Sequence, residues 1–268
     1  MPASVRGALL LAPALAALAI FAAALGALFR LSVLEFVPGS LRTGGLTDAN
    51  FRAVLTPQYV RAVADTALLS AATTAVTLVT AFPVAYALAR ARSPRVRATV
   101  LALTLAPFFT GAIVRTYALM LILGNSLVSW PVRLLFEPSG VLVGLVHFSM
   151  PTMILVLAAA LAHVDPTVER AAASLGAAPV RVFRRVTLPL AMPGIASGCL
   201  IVFAWTFSAF ATPELLGGGR VKMIANVVKD LTLDAFNWPG GAAFAIVALA
   251  VTLLLVGGLG RALTPREQ

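Results

Sequence analysis

Residues 165–194 read DPTVERAAASLGAAPVRVFRRVTLPLAMPG, and their punctuation predicts two short helices rather than a flexible linker. Asp165 can cap the first helix, and Pro166 suits its first turn, where the N–H that proline lacks has no intrahelical partner anyway. Val168, Ala171, Ala172 and Leu175 then fall at i, i+3, i+4 and i+7, forming one narrow apolar stripe. Gly176 offers the left-handed conformation that ends such a helix, and Pro179 starts a second after a sharp turn. There Val182, Phe183 and Val186 share one side, while Arg181, Arg184 and Arg185 gather on another and can meet lipid headgroups. Pro189 and Pro193 mark the turn back into the membrane. At about 25 cal/mol per Å² of apolar surface, covering a few hundred Å² of the first stripe is worth several kcal/mol. The cover is either a partner or the chain's own helix ends.

Outward from this loop the chain is apolar on both sides. Of 268 residues, 60% are hydrophobic and 11% charged, and the mean hydropathy is +0.97, more apolar surface than a soluble domain can bury. A membrane-spanning helix needs about 20 mostly apolar residues. Six stretches qualify, at 7–29, 64–88, 100–123, 141–162, 191–211 and 241–260. The first is too long for the h-region of a signal peptide and is read as a retained helix. The formal charge of +10 is membrane-side arginine, not a nucleic-acid surface. Arg90, Arg92, Arg95 and Arg97 lie densely in one short loop, which puts that loop, the 165–189 loop and both termini, with Arg266, in the cytoplasm. The single cysteine, Cys199, excludes an intrachain disulfide and reads as helix filling. His147 and His163 lack zinc spacing, so no metal or other cofactor is expected. Between Val221 and Leu231 the apolar residues repeat at helical spacing, predicting a short helix on the outer membrane surface, either a connector or a docking element.

The run RAAASLGAAPVRVFRRVTLPL resembles the EAA loop of permease subunits in type I, binding-protein-dependent ABC importers. That pattern is E-A-A, three residues, G, nine residues, I, one residue, L-P. Ala171, Ala172, Gly176, Leu188 and Pro189 match in register, with Val186 at the isoleucine position. Arg170 stands at the glutamate position and Glu169 one residue earlier, a rotation of about 100° on a helix. PFFTGAIVRTYA around Arg115, FSAFATPELLGGGRV from Phe207 and LDAFNWPGGAA from Leu233 resemble the spermidine and putrescine permeases. The resemblance implies an all-α membrane protein with the six-helix type I importer fold. It also implies a bacterial inner-membrane location, an ATP-binding subunit seated on the 165–189 loop, a second homologous permease and a periplasmic solute-binding protein. Segments 1–61, 62–260 and 261–268 would be the first span with its outer loop, the transmembrane domain, and a cytoplasmic tail. LGGGR at Leu216–Arg220 lacks the P-loop lysine spacing, so the chain is expected to be a transport subunit and not an enzyme. The solute is then a polyamine, or another small solute such as an opine or aminophosphonate.

For the translocation path the candidates are Arg115, Tyr117, Trp205, Ser208, Phe210, Thr212 and Glu214. A charged residue within a span is costly, which singles out Arg115, although it can also snorkel to headgroups or pair with an acid. The aromatic residues offer cation–π faces and Ser208, Thr212 and Glu214 polar ones; alternatively the aromatics face lipid and Pro213 ends the span. Paired acids for coupling ions and an inverted repeat are missing, which disfavours an ATP-independent carrier. Neither histidine has the companions that an intramembrane enzyme requires.

Overall fold

The computed structural model describes residues 3–40, 42–124, 128 and 130–263; Arg266 and the end of the tail lie outside them. The helices are α1 (Ala3–Ser32), α2 (Ala49–Val54), α3 (Pro57–Arg90), α4 (Pro94–Leu105), α5 (Ala112–Leu123) and α6 (Pro138–Ala162). They continue with α7 (Pro166–Ser174), α8 (Pro179–Val182), α9 (Leu188–Phe207), α10 (Ala211–Gly217), α11 (Ile224–Lys229) and α12 (Trp238–Leu263). Strands β1 (Leu34–Phe36) and β2 (Thr43–Leu46) pair antiparallel, Leu34 opposite Leu46.

Among the described residues five helical stretches are long and apolar enough to cross a membrane: Leu11–Ser32, Pro57–Arg90, Pro138–Ala162, Pro179–Phe207 and Trp238–Ala262. The sixth expected span, 100–123, is not one helix but a pair, Pro94–Phe109 and Ala112–Leu123, bent by 101°. After α4 a 3₁₀ turn at Ala106–Phe109 leads into Thr110 and Gly111, both with extended backbone. Pro107 removes a donor from the ladder and Gly111 is a poor helix former, so the break falls between them. Counting residues along a straight helix therefore does not give the depth of Arg115.

The fifth span is corrected at both ends. α9 stops at Phe207, short of Ala211, which opens α10. The expected turn at Pro189 is absent, because Pro179–Phe207 runs on as one helix through a π segment at Phe183–Thr187. Leu188 N–H donates to the carbonyl of Phe183, five residues back. In a continuous α-helix the Pro189 ring would meet the carbonyl of Arg185, and the wider turn just before it relieves that clash. The expected surface helix is α11, but Ile224 and Val227 are buried, so its apolar side is packed within protein.

The chain divides into two compact units. In Ala62–Asn226 with Val251–Gln268, the core joins Ala81, Ala85 and Leu88 of α3 to Met153, Leu157 and Leu161 of α6 and to Ala191, Ile195 and Cys199 of α9. α6 and α9 approach so closely that a Cβ at Gly194 would collide with the Ala160 methyl, the small-residue packing that draws membrane helices together. In Met1–Arg61 with Val227–Ala250, the buried Asn50 donates to the carbonyls of Ser32 and Leu34 at 2.9 and 2.7 Å. These bonds fasten α2 to the junction between α1 and β1. Tyr59 packs on Phe244 with ring centres 5.3 Å apart.

Candidate functional site

The first site is the loop between α6 and α9. Asp165 Oδ1 accepts the Thr167 N–H at 2.8 Å and caps α7. Hydrogen bonds from Thr167, its side chain first and its backbone second, hold the Asp165 carboxyl below its ordinary pKa. At the other end Gly176 sits at φ +83°, its N–H on the Ala173 carbonyl, while Ala177 N–H reaches Ala172. This pair of bonds is a Schellman turn, which needs the left-handed residue that glycine supplies. A Cβ at Gly176 would have nothing within 4 Å. The α7 stripe is open: Val168 is 44% and Leu175 89% exposed, and Ala171 is exposed with them. Ala172 is half-buried.

Glu169 and Arg170 have different surroundings. Arg170 is exposed and its Nε donates within α7, to the Pro166 carbonyl at 3.3 Å. Glu169 turns inward, 15% exposed, and takes Arg90 Nη2 at 2.8 Å and the Thr187 hydroxyl at 2.7 Å. Arg90 closes α3 and also donates to the carbonyls of Leu161 and Val164 at 3.2 and 3.3 Å. Those carbonyls lie at the end of α6 and just after it, the helix terminus that favours a cation. Leu188 and Pro189 open α9, behind the π segment. Arg181, Arg184 and Arg185 line an open concavity of about 630 Å³ on the second helix.

The second site is a cavity of about 310 Å³ where α6, α9 and α10 meet. Trp205, Ser208, Phe210 and Thr212, four of the path candidates, line it, together with Phe148 and Ser149 of α6. Arg115 lines a smaller neighbouring cavity of about 90 Å³ that shares Phe148, Ser149 and Trp205. Its guanidinium lies 4.3 Å from the Phe148 ring centre, and Phe148 is 6.1 Å from the Trp205 ring. The other two candidates are elsewhere. Tyr117 is exposed on α5, and Glu214 takes the Asn226 amide at 2.6 Å. None of the residues lining the 310 Å³ cavity is acidic. Sequence reading missed Phe148 and Ser149, although HFSMP at 147–151 places an aromatic, a hydroxyl and a proline together inside an apolar span.

The family described as "binding-protein-dependent transport system inner membrane component" matches residues 81–268. The chain belongs to that family. Similar proteins include the spermidine/putrescine transport system permease protein PotB of Escherichia coli strain K12, 34% identical over 221 residues, 78% of each chain. The inner membrane ABC transporter permease protein YdcU of the same organism is 31% identical over 241 residues, 82% of this chain and 77% of its own. A bacterial alginate ABC transporter, solved in complex with an alginate pentasaccharide-bound periplasmic protein, has a chain of the same fold. Its TM-score is 0.74 at 17% identity, covering 96% of this chain and 94% of that one. This permease therefore has the type I ABC importer transmembrane fold and is a multi-pass inner membrane protein. Within the family match fall the α7 loop, both cavities and Arg90.

Proposed function

We propose that this permease moves a polyamine inward, with α7 seated in a separate ATP-hydrolysing subunit. The observation that carries the coupling role is the α7 stripe. A capped helix with Val168, Ala171 and Leu175 in the open, ending at a glycine with no neighbour, presents apolar area that a partner can cover. Ala171, Ala172, Gly176, Leu188 and Pro189 keep the register of the EAA loop, and Arg170 is an exposed charged group on α7 beside the stripe. The chain has no P-loop, so hydrolysis belongs to that partner. By the same reading a second permease and a periplasmic binding protein complete the importer, both termini are cytoplasmic, and segments 1–61, 62–260 and 261–268 divide the labour as set out above.

The polyamine is supported by the PotB relatives, whose name specifies spermidine and putrescine, and by the aromatic wall of Phe148, Trp205 and Phe210. Because that wall carries no acid, recognition of the amines' charge falls chiefly to the binding protein. Two measurements test the proposal. Uptake of labelled putrescine and spermidine by the reconstituted importer, with opine and aminophosphonate competitors, identifies the solute; competition by either of those and not by polyamines overturns it. Gly176→Glu is expected to leave the permease in the membrane while abolishing ATPase copurification and uptake. Normal values of both would overturn the coupling role.

A further inference from the structure

The α7 loop meets the membrane part of the permease along one face of α3. Phe82, Tyr86 and Arg90 are spaced by four residues and so share a side of that helix. Phe183, the first residue of the π segment, stands edge-on to both rings, 5.6 Å from Phe82 at 85° and 6.3 Å from Tyr86 at 84°. The Arg90 guanidinium lies 5.9 Å from the Tyr86 ring and holds Glu169 of α7 at 2.8 Å. Glu169 in turn holds Thr187, whose side chain is buried at the last π residue. Both helices of the loop thus bear on α3, one through a ring packed between rings and one through an ion pair.

We infer that the cytoplasmic end of α3 is the element the loop drives, and that Arg90 is the positioning residue that transmits the movement. The inference rests on the coupling role of α7 proposed above. The Arg90–Glu169 pair is suited to carry force because its side chains are only 18% and 15% exposed, so water screens it little and cannot readily replace it. Arg90 also grips the Leu161 and Val164 carbonyls, so a displacement of α7 reaches α3 and the end of α6 together. On the other side of the loop Arg181, Arg184 and Arg185 are exposed and border an open concavity. Arg170, which occupies the pattern's acid position, is bonded within α7, to the Pro166 carbonyl. The acid one residue earlier holds the membrane side, and the exposed Arg170 is left for the ATPase side.

The complete importer in proteoliposomes tests this through ATPase copurification, ATP hydrolysis and solute uptake measured on the same sample. Arg90→Ala is expected to keep the ATPase bound and hydrolysing within about twofold while uptake falls about tenfold, so that ATP spent per solute rises at least about fivefold. Arg90→Lys should recover several-fold over Arg90→Ala, because an ammonium can still reach the carboxylate or the carbonyls. Thr187→Val removes one bond at nearly constant shape and should lower uptake about two- to fivefold; it decides the matter if Arg90→Ala is missing from the membrane. Uptake within twofold of wild type in both Arg90→Ala and Thr187→Val overturns the inference. So does a loss of uptake that merely follows loss of the ATPase and is not repaired by lysine. Gly176→Glu, run in parallel, separates the two levels: if it retains both ATPase and uptake, the docking of α7 fails whatever Arg90 shows.

Discussion

The Arg115 guanidinium carbon lies 4.3 Å from the centre of the Phe148 ring, and Phe148 lines both the 310 Å³ and the 90 Å³ cavity. A cation held over an aromatic face at this distance gains about 0.5 to 2 kcal/mol. The ring therefore restrains a positive charge at the edge of the space through which the solute is proposed to pass. Phe148→Leu frees the guanidinium to enter that space, where it repels a cationic solute. A double-mutant cycle on uptake with Phe148→Leu and Arg115→Met is expected to show a coupling of about 0.5 to 2 kcal/mol, with Phe148→Tyr close to wild type. Strictly additive effects would show that the ring does not restrain the charge.

At Gly194 the prediction concerns stability. A larger residue there forces α6 and α9 apart at Ala160, and overpacking of this kind costs about 1 to 3 kcal/mol. Gly194→Val should lower the melting temperature of the purified permease, whereas Gly257→Ala, with nothing within 4 Å of its Cβ, should not. Equal melting temperatures would contradict the close approach.

Gly176 makes the opposite demand. Space around it is open, so the restriction is the φ of +83° alone. Substitutions should rank by their tolerance of the left-handed region and not by size: asparagine mildest, alanine next, valine worst. ATPase copurification with Gly176→Asn, Gly176→Ala and Gly176→Val checks the order. A ranking by volume would mean that the partner, not the turn, selects glycine.

Asp165 gives a pH dependence with a definite sign. Its folded pKa is lowered by the hydrogen bonds from Thr167, so its contribution to α7 is fully present above the ordinary value of 3.8. The contribution is lost as the pH falls through the lower, folded value. Protection of the first-turn amides of α7, taken relative to their intrinsic exchange rate at each pH, should therefore fall on acidification below that range in the wild type, and Asp165→Asn should remove this loss of protection while keeping a cap. An Asp165→Asn variant that loses protection with the same profile would assign the effect to another group.

The parts of this molecule that were legible in the sequence are those set by local chemistry. Asp165, Pro166 and Gly176 announce the ends of α7 because capping, a missing N–H and a left-handed residue act within one or two turns. Five of the spans announce themselves by length and hydropathy. The bend between α4 and α5 does not, since hydropathy is indifferent to direction, although Pro107 and Gly111 stand four residues apart at the break. Glu169 stands one residue before the expected acid position, about 100° round the helix from it. Its partner Arg90 lies 79 residues earlier, and an ion pair over that separation has no signature in one sequence. Trp205 and Phe210 stand among the path candidates in the sequence, but Phe148 and Ser149, which line the same cavity, come from another helix. Glu214 was grouped with them by proximity in the chain, whereas the start of a new helix at Ala211 carries it to Asn226.

The π segment at Phe183–Thr187 bears on how this loop can change over evolution. Its i→i+5 bonding holds one residue more than the α turn it replaces. A deletion of one residue there could close an ordinary turn and leave α8 and α9 facing their present neighbours, but the ring of Pro189 would then stand against a backbone carbonyl. Chain length in this segment and the proline that follows it are therefore linked characters: a homologue that loses the extra residue is expected to lose the proline as well.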